Sequence, residues 1–92
     1  MKIVVYYIYY IFCETTQKGY IGRSKHPTVR YQEHLRANSL IGAALRKYGV
    51  ENFNYTILYR AEDLLDAKCT ERTAIWHFCT QVPDGYNANR GG

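Results

Sequence analysis

Residues 7–22 read YIYYIFCETTQKGYIG, two apolar segments joined by a polar one. The first segment belongs to a run over residues 3–12 that is rich in β-branched and aromatic side chains, as in a strand buried on both faces. The polar link over residues 14–19 ends in glycine and predicts a hairpin turn. The second segment begins the returning strand. We therefore predict two antiparallel neighbours that bring Tyr9 and Tyr20 to the same part of a sheet.

The segment that follows predicts a helix over about residues 28–36, because Pro27 suits the first turn of a helix. Arg30 and His34 are four positions apart, so both project from one face of this helix. A basic pair at this spacing is common on solvated helix faces. This pair indicates a functional site only in combination with Tyr9 and Tyr20, which precede it. The predicted packing residues of the helix are Val29, Tyr31 and Leu35.

Two further elements complete the predicted sheet layer. Ser39 can cap a second helix that runs through Tyr48, with Gly49 as its stop. Alternating apolar and polar side chains then predict a third strand with one apolar face, formed by Phe53, Tyr55, Ile57 and Tyr59. We expect one α/β domain of the α+β type, a small, mainly antiparallel three-stranded sheet flanked by helices.

A third helix is predicted over about residues 62–78, and it carries a carboxylate on its apolar face. Glu71 lies in the middle of this face, and a charge there costs free energy unless it is paired or binds a metal. Trp76 is most simply a core residue of the same helix. The apolar stripe consists of Leu64, Ala67, Ala74, Ile75 and Phe78.

Positive charge is concentrated in the first half of the chain. The formal net charge is +4, with +6 on residues 1–50 and −2 on residues 51–92, which is consistent with a polyanionic partner. Three cysteines without a CxxC pattern predict reduced thiols in an intracellular protein, not disulfides or a structural zinc site. The apolar run is too short to span a bilayer. No motif indicates a nucleotide cofactor.

These motifs together resemble the GIY-YIG nuclease family over essentially the whole chain. The first signature triplet is present as Tyr7-Ile8-Tyr9, with tyrosine in place of the usual glycine, and the second is intact as Tyr20-Ile21-Gly22. The arginine of the family, eight residues after that glycine, falls on Arg30, and its His/Tyr position falls on His34. The closing Gly-Tyr-Asn stands at residues 85–87. These five motifs occur in the order and at the spacing of the family, which makes the resemblance specific.

The resemblance implies a GIY-YIG nuclease fold and a metal-dependent DNA endonuclease that uses one divalent cation, Mg²⁺ or Mn²⁺. Tyr9 and Tyr20 would supply phenols, one of which acts as general base or positions the attacking water. Arg30 would bind the scissile phosphate and lower the pKa of a phenol electrostatically. His34 would orient a tyrosine, donate to phosphate or shuttle a proton. Asn87 would support the site by hydrogen bonding.

Two registers are open for the glutamate that, in this family, ligates the metal. Three residues before Trp76, where many relatives carry it, stands Thr73, which would leave the site without its carboxylate. The other register has Ala67 one turn before the glutamate and Ile75 one turn after it, and it selects Glu71. The apolar stripe favours Glu71.

The resemblance also implies how the domain is used. Residues 1–92 would form a catalytic domain of the homing type, with residues 89–92 starting a linker to a separate DNA-reading region. It would act in the cytoplasm or nucleoid, or in the host cell of a phage or virus. The runner-up is a catalytically inactive nucleic-acid-binding module that retains the fold, favoured by Tyr7 and by the Thr73 register. Candidate contacts to the DNA backbone, each of which is individually typical of solvated surface, are Arg23, Lys25, Arg36, Arg46 and Lys47.

Overall fold

The computed structural model describes residues 3–88, so the predicted linker start at residues 89–92 lies outside the described part. A short 3₁₀ turn over Val50–Asn52 precedes the last strand. The strands are β1 (Tyr6–Cys13), β2 (Lys18–Ser24) and β3 (Phe53–Ala61), and the helices are α1 (Pro27–Arg36), α2 (Leu40–Tyr48) and α3 (Leu64–His77).

The three strands form one antiparallel sheet in the order β2-β1-β3. The predicted hairpin is confirmed: Tyr9 pairs with Gly22, and Ile11 pairs with Tyr20. Gln17 turns the chain with a φ of 60°. β1 begins at Tyr6, three residues later than the apolar run suggests.

β1 is buried on both faces, as its composition predicts. Its odd-numbered residues, from Tyr9 to Cys13, pack with Ile41 and Leu45 of α2, and α1 closes the same side. Its even-numbered residue Ile8 packs on the opposite side against Ile21 and the inward face of α3. The sheet therefore separates two small cores, and β1 belongs to both.

The apolar face predicted for β3 is wrong at Tyr59. Ile8 pairs with Tyr59 but Tyr9 pairs with Ile57, so Leu58 is an extra residue that forms a bulge. A bulge exchanges the two faces of a strand, because side chains alternate with a period of two. The Tyr59 hydroxyl consequently lies on the α3 side, where it donates to Asp66 at 2.8 Å.

Four residues predicted as packing positions of helices are exposed instead: Val29, Leu64, Trp76 and Phe78. Val29 is 58% exposed, and the fully buried side chain of α1 is His34. Trp76 is 79% exposed. Since Ile75 points into the core and successive helical residues are about 100° apart, its neighbour Trp76 turns towards solvent.

The segment after α3 returns to β2 and is tied to it by Asn87. The Asn87 side chain accepts from the Ile21 backbone N–H and donates to the Ile21 carbonyl, both at 2.8 Å. The Tyr86 N–H donates to the Gly19 carbonyl at 2.8 Å. The outer edge of β2, next to Tyr20, is therefore held by the side-chain amide of Asn87 and the backbone N–H of Tyr86.

Candidate active site

Three rings from β1, β2 and α1 meet on the α1 side of the sheet. The centroids of Tyr9 and Tyr20 are 6.3 Å apart, and the ring of His34 stands edge-on to Tyr20 at 5.1 Å. The Tyr9 hydroxyl lies 2.7 Å from His34 Nε2, a buried hydrogen bond. The hairpin register and the single buried position of α1 together bring these residues to one place.

Gly22 allows Tyr9 to occupy this position. It stands directly across from Tyr9 in the β1–β2 ladder. A Cβ atom at residue 22 would lie 2.2 Å from the Tyr9 Cζ and hydroxyl oxygen, so any side chain there would displace the phenol. The second signature triplet thus ends in glycine because the tyrosine of the first triplet fills the space.

The two tyrosines differ in their access to solvent. Tyr9 is only 1% exposed, and its hydroxyl is hydrogen-bonded to His34. Tyr20 is half-buried and lines a cleft of about 630 Å³ together with Arg30, His34 and Asn87. Of the two phenols, Tyr20 is therefore the one that a substrate in this cleft can touch.

Burial raises the pKa of both phenols above the ordinary value for tyrosine. The charge of Arg30 lowers both pKa values, as expected from the sequence, but desolvation outweighs it. The negative charge of Glu71 adds to the increase at Tyr20. Both phenols are accordingly neutral near pH 7 and can donate hydrogen bonds.

His34 is uncharged at neutral pH. Burial, aided by the nearby charge of Arg30, lowers its pKa to about 4. Its Nδ1 atom is buried and has no hydrogen-bond partner among residues 3–88. A neutral imidazole bonded to Tyr9 suits the role of orienting that tyrosine better than the role of a cationic phosphate ligand.

We expect His34 to make the fold sensitive to acid. An unfolded chain protonates this imidazole below its ordinary pKa of 6.5, whereas the folded protein resists protonation until about pH 4, so acid favours unfolding. The free energy of unfolding should fall by about 2–3 kcal/mol between pH 7.5 and 4.5 from this residue alone.

Urea unfolding at several pH values measures this slope. His34→Gln should flatten it, while His26→Gln, at an exposed histidine, should leave it unchanged. An undiminished slope in His34→Gln would show that other groups cause the acid sensitivity.

Arg30 presents its guanidinium at the mouth of the cleft. Its side chain is 44% exposed, and Nη1 donates to Glu33 at 3.1 Å. This contact is on the solvent side of α1 and is of the kind that contributes little to stability. The guanidinium keeps further donors for an anion in the cleft.

Glu71 and Thr73 point in different directions from α3. The Glu71 side chain is only 13% exposed, and its Oε1 accepts from Arg23 Nη1 at 3.0 Å. Thr73, two positions and so about 200° further around the helix, is exposed and lines a separate depression beside Trp76. The charge of Glu71 raises the pKa of Tyr20.

The donor set fits a hard divalent cation with few protein ligands. Residues 3–88 contain no group of three or more His, Cys, Asp or Glu side chains that could enclose a metal ion. A single half-buried carboxylate whose charge acts on a phenol is the arrangement that Mg²⁺ accepts, because this ion keeps several of its waters. Glu71 would hold the ion.

Three of the other four basic candidates have local partners. Arg46 donates to the carbonyls of Leu35 and Ala37, both at 3.0 Å, and so caps the end of α1. The Lys25 and Lys47 ammonium groups lie over the rings of neighbouring tyrosines. Arg36 is exposed in the last turn of α1. Tyr7, which replaces the first signature glycine, is half-buried in β1 opposite Ser24 and Arg60.

One pairing that sequence reasoning missed is the contact between Arg23 and Glu71. Arg23 is two positions after Ile21, so both lie on the face of β2 that α3 covers. The alternation of β2 indicates the face on which Arg23 lies, and the apolar stripe of α3 indicates the face on which Glu71 lies. Their 48-residue separation leaves no local signal that joins them.

Tyr20, Arg30 and His34 line one cleft on a small antiparallel sheet. The charge of Glu71, on the helix that packs against the opposite face, acts on Tyr20. The sequence profile of the GIY-YIG catalytic domain matches residues 5–80, and this chain belongs to that family. A solved structure, an alanine mutant of the catalytic domain of intron endonuclease I-TevI, superposes with a TM-score of 0.75. It is 20% identical, over 100% of this chain and 98% of that one. No curated protein matches significantly.

The comparisons confirm the family and the fold class predicted from the signature triplets. The three-stranded antiparallel sheet with three helices is the GIY-YIG nuclease fold. Within residues 3–88 no helix is long and apolar enough to cross a membrane.

Proposed function

We propose that this domain is a DNA endonuclease that hydrolyses phosphodiester bonds with one divalent cation, Mg²⁺ or Mn²⁺. The observation that carries the proposal is the cleft in which Tyr20, Arg30, His34 and Asn87 meet. The nearby carboxylate of Glu71, whose charge acts on Tyr20, supports it. Family membership makes a nuclease the first function to test.

Each side chain has a role that its surroundings support. Arg30 binds the scissile phosphate, because its planar fork offers two parallel hydrogen bonds to phosphate oxygens. Tyr20, neutral and facing the cleft, donates a hydrogen bond and so orients the attacking water or a phosphate oxygen. Tyr9 and His34 form the buried bonded pair on which the Tyr20 ring rests. Asn87 fixes the edge of β2 that carries Tyr20.

The metal ion, held by Glu71, would supply Lewis-acid stabilisation of the charge that develops on the phosphate. A protonated tyrosine is a poor base, and the pKa of Tyr20 is raised. In the free protein Tyr20 is therefore suited to position the attacking water or a phosphate oxygen. Arg30 provides positive charge that assists any deprotonation of Tyr20, because its charge lowers the pKa of that phenol.

Plasmid cleavage tests this proposal directly. The wild-type chain should cut supercoiled DNA in Mg²⁺ or Mn²⁺ and should not cut in EDTA, because the reaction depends on the ion at Glu71. An electrophoretic time course of nicked and linear products measures the activity. Cutting that persists undiminished in EDTA would reject the single-metal function.

A second candidate is the inactive binding module, which the ion pair between Arg23 and Glu71 favours. That pair neutralises the carboxylate that a metal needs. A pure binder would retain DNA in a mobility-shift assay while showing neither cleavage nor any effect of metal on binding.

Three properties of the whole protein belong to the same proposal. The described domain acts as the catalytic unit, a separate region supplies DNA sequence recognition, and the protein works inside a cell. The homing type is the model for this arrangement. Limited proteolysis of the natural full-length product, followed by DNA-binding assays on the fragments, would test it.

A further inference from the structure

Arg23 and Glu71 form the most shielded ion pair described in residues 3–88. Their side chains are 26% and 13% exposed, with Nη1 and Oε1 3.0 Å apart. The pairs Arg30–Glu33 and Arg60–Glu62 have side chains that are at least 44% exposed. Solvent therefore screens the first pair the least of the three.

The two partners differ in their freedom to move. Glu71 lies on the inward face of α3, between Ala67 and Ile75, which are 0% and 2% exposed. Arg23 projects from the edge strand β2 and is the more exposed of the two. Its long, flexible stem lets the guanidinium swing outward while β2 stays in place.

A metal ion and this guanidinium compete for the same carboxylate. A cation such as Mg²⁺ binds a carboxylate oxygen at about 2.0–2.1 Å. The guanidinium nitrogen lies 3.0 Å from Glu71 Oε1, so a doubly charged ion at that carboxylate would repel it strongly. Binding of the ion at Oε1 therefore favours withdrawal of Arg23.

We propose that Arg23 is the resident counter-ion of Glu71, which a metal ion displaces and which then binds a backbone phosphate of the DNA. This inference rests on the proposed function and adds a regulation to it. Metal releases Arg23 for DNA, and DNA draws Arg23 away from the metal site. By thermodynamic linkage each ligand then strengthens the binding of the other by the same factor.

Mn²⁺ binding to the DNA-free protein, followed by electron paramagnetic resonance, tests the first half. Arg23→Gln should bind Mn²⁺ about tenfold more tightly than wild type, a typical size for such a coupling. Arg23→Lys keeps the charge and should bind Mn²⁺ about as weakly as wild type. Arg60→Gln is the matched control, since it removes the partner of an equally close but exposed pair, and it should change nothing.

DNA binding tests the second half. Fluorescence anisotropy of a short duplex in Ca²⁺, which also takes oxygen ligands, is measured at increasing salt. One phosphate contact fewer should reduce the slope of log K against log salt by about one in Arg23→Gln. Arg60→Gln should keep the wild-type slope.

The outcomes separate this inference from the proposed function. Equal or weaker Mn²⁺ binding in a folded Arg23→Gln variant would overturn the counter-ion role, because Arg23 would then orient Glu71 for the metal. An unchanged salt slope would overturn the transfer to phosphate. Mn²⁺ binding absent from all variants, with and without DNA, would reject the metal-dependent function itself. Circular dichroism establishes that each variant is folded.

Discussion

Glu71→Gln is expected to reduce metal-dependent DNA cleavage by about 10³-fold or more, the largest effect among the substitutions considered. Glutamine matches glutamate in size but carries no charge, so the variant keeps the packing of α3 and loses the anionic ligand. Residues 3–88 offer no enclosing cluster of other acidic or histidine ligands that could replace it.

The control for this variant is Glu62→Gln. Glu62 is also 3.0 Å from an arginine but is exposed beyond the end of β3. It should retain wild-type cleavage, which separates loss of a specific ligand from loss of one negative charge. Thermal unfolding of Glu62→Gln should stay within about 1 kcal/mol of wild type, because its ion pair is exposed to solvent. Glu71→Gln should be destabilised more, because it leaves the half-buried Arg23 without its carboxylate partner, and circular dichroism checks that the variant is folded.

Thr73→Glu decides between the two registers. Because Thr73 points away from the cleft, a carboxylate there should neither raise the activity of the wild type nor rescue Glu71→Gln. Cleavage that is absent in wild type and is created by Thr73→Glu would place the metal ligand at residue 73. The natural chain would then be a catalytically inactive nuclease.

Arg30→Ala is expected to lower kcat/KM by about 10²- to 10³-fold, because it removes the bidentate donor for the reacting phosphate. Arg30 also opposes the effect of burial on both phenols, so its loss raises the pKa of Tyr20 further. Arg30→Lys should recover only part of the rate, since an ammonium supplies charge without the planar fork.

Single-turnover kinetics with saturating protein checks this prediction. The loss should reside in the rate constant of the chemical step. The control is Arg72→Ala on the outer surface of α3, which should behave as wild type. A loss confined to DNA affinity, with an unchanged chemical step, would mean that Arg30 holds DNA outside the reacting phosphodiester.

The local patterns of the sequence predict the architecture closely. The apolar segments around Tyr9 and Tyr20 become neighbouring strands. The middle of the stripe around Glu71 becomes the inward face of α3, formed by Ala67, Ala74 and Ile75. The helix boundaries agree within two residues, because caps such as Ser39 and stops such as Gly49 act locally.

The features that were missed depend on long-range geometry. The bulge at Leu58 turns Tyr59 to the other face of the sheet. Neither the residue types nor their spacing predicts this bulge. Trp76 looks like a core residue by hydrophobicity, but the packing of Ile75 leaves it outside. The different environments of Tyr9 and Tyr20 depend on where α1 crosses the sheet, since the buried His34 covers one phenol and the cleft opens beside the other.

The bond between Asn87 and Ile21 has a consequence for how the protein is made. The two residues are 66 positions apart, so the edge of β2 is completed only after nearly the whole described chain has been synthesised. Domains fold as units while the chain emerges from the ribosome, and non-local contacts form late because loop closure opposes them. A nascent chain that stops before Asn87 would contain both signature triplets and still lack a finished cleft. Completion of the cleft is thereby delayed until translation has passed the closing Gly-Tyr-Asn.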